Sequence, residues 1–307
     1  MDFKRVFIVV TMDCERPRTE TNLKATGPMS WEDSDAFIRG YVKIAYDFNF
    51  PVSFFLHPEV AIAQKELFLE LEKKGACIDG LHLHPWKFSD GKYRAHLGGM
   101  SEEDQRALIS EAIALYQSGL KRRPKYFRPG TFSANDATYR VLVDLGFRGG
   151  SLSVPGRIYK DLCAIWTGCY PDPHRANKEM RQLEGDLPFA NMPLTCDNSK
   201  LEKKGERYFY RDLRPDYEEV DYNVLVTNVV NQLKQRKPAI PVINLVTHNE
   251  NDYNDYENRV CKNYMTVLDK ITKICKSEGL EVEGTTIDKI CDMVFKLPVK
   301  ENIFNTV

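Results

Sequence analysis

Apolar and polar positions along this chain follow two alternating rhythms. The run 5–12 has the continuous apolar character of a buried strand, while 31–48 repeats with helical spacing, its stripe formed by Phe37, Tyr41, Ile44, Ala45 and Phe48. A second strand is predicted over 51–56, with a proline at its first position. A helix over 58–74 closes at Gly75, and a third strand follows over 77–84. Ser101-Glu102-Glu103-Asp104 is a helix start, and Leu108, Ile109, Ala112, Leu115 and Tyr116 face inward along the helix that runs to about Gly119. Short strands over 125–128 and 147–154 flank a helix over 135–145 that stops at Gly146. Later come a helix over 222–233, an apolar strand over 240–247, a helix over 256–277, a strand around Val282 and a helix over 287–295.

This alternation predicts parallel strands joined by right-handed helical crossovers. About seven such units favour a distorted (β/α) barrel over an open doubly wound sheet, because no glycine-rich first turn and no ribose-binding acid is present. The stretch 155–221 breaks the rhythm, with prolines, glycines, charge clusters and one convincing strand over 189–195. It is expected to be an irregular insertion into a single domain spanning residues 1–307.

Composition narrows the function classes. Hydrophobic residues make up 42% of the 307 and charged residues 28%, which excludes a coiled coil or long disorder. Lys plus Arg number 43 and Asp plus Glu 44, a net charge of −1 with mixed signs, so no basic face calls for nucleic acid. The apolar run 6–10 is too short for a signal-peptide core or a membrane span, and the eight cysteines include no Cys-x-x-Cys pair. A reduced, cytoplasmic protein without a transmembrane segment is expected.

Candidate chemistry collects at predicted strand ends, where a βα barrel holds its site. The first strand ends in Thr11-Met12-Asp13-Cys14-Glu15, and a period of two puts Asp13 and Glu15 on one face and Cys14 on the other. The third ends in Leu81-His82-Leu83-His84-Pro85-Trp86, with the two histidines side by side. Phe127-Arg128-Pro129-Gly130 closes the fourth, and Thr247-His248-Asn249-Glu250 the late apolar strand. Taken singly, each has an ordinary structural explanation: a turn-forming acid, a satisfied rim histidine, an arginine paired with a neighbouring acid. Together, three of the chain's six histidines meet two acids and one arginine at a single rim, which points to a metal. Two imidazoles and one carboxylate leave an open coordination position for water, as in catalytic zinc sites. A second carboxylate could then act as base, and a histidine from a distant strand, His248, as acid. The runs 202–206 and 250–255 read as solvated loop charges.

In order and spacing these motifs resemble the polysaccharide deacetylases of the NodB-homology type (carbohydrate esterase family four). The resemblance spans 5–295 but rests on four short motifs. It implies a distorted (β/α) barrel that removes acyl groups from sugars with one divalent ion, Zn2+ first, Co2+ or another divalent ion second. Asp13 takes the base role, Arg128 orients it, and His248 protonates the departing nitrogen. His82 is the first imidazole ligand. Trp86 stands where the family usually has its second histidine, leaving His84 as the replacement. The third ligand is Glu15, which shares a face with Asp13 and fits the Asp-x-Asp register of some relatives; the usual Asp-Asp register would place Cys14 there as a soft ligand instead. The Gly-x-His-x-His-Pro-Trp form is similar to a branch linked to bacterial surface polysaccharides such as O-antigen. The implied substrate is therefore an N-acetyl or N-formyl sugar, nucleotide- or lipid-linked. The insertion, with Tyr170-Pro171-Asp172-Pro173-His174, is expected to cover the site, and Trp86, Trp166 and Tyr170 serve either as sugar-stacking surfaces or as core. Two alternatives stay open: an amidohydrolase acting on a non-sugar amide, and a carbohydrate-binding or assembly protein that has lost chemistry.

Overall fold

The computed structural model describes residues 4–18, 26–88 and 92–299. In chain order the elements are β1 (Arg5–Cys14), α1 (Trp31–Asp47), β2 (Val52–Leu56), α2 (Pro58–Ala63), α3 (Lys65–Lys73), β3 (Cys77–Leu83), α4 (Glu102–Leu120), β4 (Tyr126–Pro129), α5 (Thr138–Asp144) and β5 (Gly149–Gly150). Then come β6 (Ile158–Tyr159), β7 (Ala164–Ile165), β8 (His174–Arg175), β9 (Ala190–Asn191), β10 (Cys196–Lys204), β11 (Arg207–Asp212), α6 (Tyr222–Arg236), β12 (Val242–His248), α7 (Arg259–Ser277), β13 (Glu281–Gly284) and α8 (Ile287–Lys296).

The main sheet runs β12-β1-β2-β3-β4-β5-β9-β8 and is parallel except for β8. β1 is its centre. One edge pairs Phe7–Asp13 with β12. The other is shared, its first half pairing with β13 and its second half with β2. A strand covered on both edges and both faces reads as a continuous apolar run, as β1 does. Its outward residues Val6, Ile8, Val10, Met12 and Cys14 join the large core against the surrounding helices. Inward, Val9 meets Phe55, Tyr126 and the α8 residues Ile287, Ile290, Cys291 and Val294, so α8 plugs the end of the barrel opposite the strand termini.

The curled sheet closes without a full ladder. Beyond β9 the chain meets β12 through Asn244, whose backbone exchanges hydrogen bonds with Thr195. Its buried Nδ2 donates to Ser151 Oγ (3.1 Å), Pro193 O (3.1 Å) and Met192 O (3.4 Å). This is the distorted (β/α) barrel expected, with a side-chain seam. Asn244→Ala removes the donor serving the seam and is expected to destabilise the protein by about 2 kcal/mol in urea unfolding. A loss below about 0.5 kcal/mol would show that the seam does not depend on it.

Three local expectations are corrected. The single helix over 58–74 divides at Gln64 (φ −115°, ψ 26°), whose amide bonds Ser34 Oγ and Trp31 O at the start of α1. The strand over 147–154 contracts to Gly149–Gly150. A Cβ at Gly150 would stand 2.1 Å from Phe127 O, so glycine is what lets β5 lie against β4. The stretch 155–221 holds more regular structure than expected: β10, β11, β6 and β7 form a four-stranded antiparallel sheet, and β8 and β9 belong to the main sheet. Strands such as CDNSKLEKK and RYFYRD lack apolar alternation, and pairing around Gly205 (φ +61°) defines them instead.

Candidate active site and metal centre

All six side chains singled out from the sequence stand at the C-terminal ends of parallel strands. Asp13 and Glu15 leave β1 toward the interior, His82 is the penultimate residue of β3 with His84 just beyond its end, Arg128 lies in β4, and His248 ends β12. Glu15 Oε1 is 3.1 Å from His82 Nε2 and 3.0 Å from His84 Nε2, and all three residues are buried. The imidazole rings stand 4.9 Å apart at 86°. Asp13 Oδ1 accepts from Arg128 Nη1 at 2.7 Å, and the same nitrogen donates to Thr11 Oγ1 at 2.9 Å. Arg128 is fully buried with its guanidinium 4.1 Å from the Phe55 ring centroid.

The donor set fits a divalent ion. His82 Nδ1 donates to Arg128 O at 3.0 Å, which leaves a lone pair on Nε2 of the neutral ring, aimed at a carboxylate oxygen. Three acceptor atoms thus converge within 4.8 Å of one another, and they need a proton or a cation between them. Ligands at about 2.1 Å in a tetrahedron lie roughly 3.4 Å apart, close to the separations here. Cys14 faces away from this cluster, in the core, where burial and then the neighbouring carboxylates push its thiol pKa up. It offers no sulfur to the cluster.

Electrostatics keep both acids ionised. Burial opposes the charge on Glu15, but Lys87, His84 and His82 outweigh it and hold its pKa well below the usual carboxylate range. Burial likewise opposes the charge on Asp13, and Arg128 first, with His82 and His248, brings its pKa below normal. Desolvation pushes His84 down to about 4, so its ring is neutral near pH 7. For His82 desolvation is outweighed by Asp13 and Glu15, which raise its pKa above the ordinary 6.5. A divalent ion must displace that proton. Zinc affinity is therefore expected to rise about tenfold from pH 5.5 to 6.5. A Kd that stays constant over this range in titration calorimetry would remove His82 from the ligand set.

Three residues at the site escaped the sequence reading. Lys87 is buried and donates from Nζ to Glu15 Oε2 at 2.6 Å and to Thr26 O at 2.5 Å, so only Oε1 faces the imidazoles. Asn249 grips the Glu15 backbone in both directions. Its Oδ1 accepts from Glu15 N at 2.8 Å, while its Nδ2 donates to Glu15 O at 3.0 Å and to Ser34 Oγ at 2.7 Å. His57, following β2, is a fourth rim histidine, buried and paired through Nδ1 with Glu59. The adjacency of Lys87 to Trp86 and of Asn249 to His248 was the available signal.

Other placements differ from expectation. His248 is not on a distant strand: it is the register partner of Asp13 across β1 and β12. Trp166 is core, its Nε1 donating to Phe132 O at 2.7 Å. Trp86 packs edge-on to His84, with centroids 5.4 Å apart. Tyr170, Asp172, Pro173 and His174 line a different cavity, with Pro238 and Val294, and do not cover the site. Other parts of 155–221 do border it: Arg157, Tyr159, Leu162, Lys204, Arg207, Phe209, Arg214 and Tyr217 line one cleft with Asp13, His82, His84 and His248.

The fold is similar to that of several solved structures. A candidate polysaccharide deacetylase from Mycobacterium smegmatis superposes with a TM-score of 0.59 at 16% identity, over 98% of this chain and 95% of that one. A candidate glycoside hydrolase/deacetylase from Parabacteroides distasonis gives 0.64 at 13% identity, over 98% and 74%. The Puue allantoinase gives 0.56 at 14% identity, over 94% and 90%. No family model and no curated protein matches the sequence. The likeness is therefore one of fold, and the site's chemistry rests on its own geometry.

Proposed function

We propose that the protein is a divalent-metal hydrolase that removes an N-acyl group, acetyl or formyl, from a sugar destined for a surface polysaccharide. The observation that carries this reading is the convergence of Glu15 Oε1, His82 Nε2 and His84 Nε2 beside the buried Asp13–Arg128 pair, with His248 on the adjoining strand. A zinc-like ion held by those three ligands would polarise an acyl oxygen and acidify a water. Asp13, ionised and fixed by Arg128, takes the proton of the attacking water. His248 gives a proton to the departing nitrogen. Lys87 restrains Glu15 to a single donor oxygen, which keeps room open for water and substrate. The deacetylases among the structural neighbours support a sugar amide as substrate.

A non-sugar amide is the second reading, and the allantoinase with the same fold favours it. Mass-spectrometric metal content, followed by release of acetate or formate from acylated sugars and a parallel assay on allantoin, tests both. About one ion per chain with sugar deacylation is expected. Turnover of allantoin alone would select the second reading. No bound metal after zinc or cobalt addition would sink both and leave a carbohydrate-binding role.

A further inference from the structure

The cleft over the Glu15–His82–His84 cluster has a cationic wall. Arg157, Lys204, Arg207 and Arg214 line it, against Asp13 as the one carboxylate among the described lining residues. Arg207 is engaged by Asp161. Arg157 is different. It is 6% exposed, its Nε meets no partner among the described residues, and its Nη1 reaches Thr131 O only at 3.4 Å. Among the described residues its guanidinium faces one carboxylate within 4 Å, Asp212, with Nη2 to Oδ2 at 3.7 Å. That carboxylate is already taken. Arg214 donates from Nε to Oδ1 and from Nη2 to Oδ2, both at 2.7 Å, and the Tyr217 hydroxyl donates to Oδ1 at 3.2 Å. Asp216 stands at 4.0 Å from Arg214, at the limit of pairing.

Arg214 thus holds Asp212 bidentately, and Arg157, beside it on the cleft, is left without a close carboxylate of its own among the described residues. A buried cation without its own counterion is costly, and the cost is recovered when an anion arrives. Burial first, and the neighbouring Arg214 second, lower the pKa of Arg157, as expected for an under-compensated cation. Planar guanidinium forks suit phosphate and carboxylate oxygens better than neutral hydroxyls.

We propose that Arg157 and Arg214 form an oxyanion subsite, so that the substrate is an N-acyl sugar carrying a phosphate or carboxylate group. The term N-acyl sugar rests on the deacylase reading; the anion subsite rests on the arginines alone. The test is calorimetric binding of inorganic phosphate, N-acetylglucosamine 1-phosphate, an N-acetylhexosaminuronate and neutral N-acetylglucosamine to EDTA-treated full-length protein. At least one charged sugar is expected to bind about tenfold or more tighter than the neutral one, the scale of a charged hydrogen bond. Arg157→Gln is expected to abolish that advantage and Arg157→Lys to keep part of it. His84→Ala, which removes a metal ligand, is expected to leave phosphate binding intact. Should Arg157→Gln fail to fold, the wild type still decides: raising KCl from 50 to 300 mM should weaken phosphate several-fold and leave the neutral sugar unchanged. Preference for the 1-phosphate or for the uronate tells the two oxyanions apart. Equal binding of charged and neutral sugars, no phosphate binding by the EDTA-treated protein, or full phosphate affinity in Arg157→Gln would overturn the proposal. Phosphate binding in a wild type that takes up no metal would keep the subsite and discard the deacylase reading.

Discussion

Asp13→Asn is expected to lower kcat by about 10²-fold or more while metal content stays at the wild-type level, the scale of losing general-base help. The substitution is close to isosteric, so the side-chain oxygen can still accept from Arg128 Nη1, which now spans 2.7 Å to Asp13. What disappears is the charge. An amide cannot take a proton from water, and Arg128 is left as a buried cation without a counterion. Breaking such a pair costs about 3–5 kcal/mol, so a lower Tm should accompany the loss of rate. The two readouts separate the roles, because a merely structural Asp13 would show the Tm shift without the fall in kcat of the folded fraction. Unchanged kcat would remove Asp13 from the base role.

His84→Ala should weaken zinc binding by more than about 100-fold, since losing a residue that only supports a ligand already costs about 10–100-fold. It is the cleaner of the ligand variants. His84 Nδ1 has no hydrogen-bond partner among the described residues and its ring lies against Gly130, so the substitution removes packing and a ligand without stranding a polar group. Glu15→Ala should also lose the ion, but it removes the carboxylate paired with the buried Lys87 ammonium, and about 3–5 kcal/mol of stability goes with it. Metal loss in both variants with a folded His84→Ala assigns the ligands. Full zinc retention in His84→Ala would mean that other side chains hold the ion.

The rim residues were legible because their arrangement is local. Asp13 and Glu15, or His82 and His84, are two residues apart on a strand, and the pleat alone brings such pairs to one face. The same rule turned Cys14 outward. The residues that complete the site answer to no such rule. Lys87 reaches Glu15 across 72 residues of chain and Asn249 across 234, and neither spacing leaves a mark in local periodicity. The hairpin of β10 and β11 escaped for a related reason: its strands are charged, and their identity comes from pairing with each other.

By itself, then, the chain's hydrophobic rhythm determined the alternating elements, the parallel barrel, and the rim on which two acids, two imidazoles and an arginine would stand. Periodicity of 2 and of 3.6 residues is written into neighbouring positions and survives without any partner. Tertiary structure alone decided the rest. Parallel pairing of β12 with β1 made His248 the register partner of Asp13, burial of Lys87 on Oε2 left Glu15 one oxygen for the imidazoles, and the antiparallel sheet brought Arg157 and Arg214 to the cleft. Those outcomes depend on which distant segments exclude water from one another, a property of the folded whole.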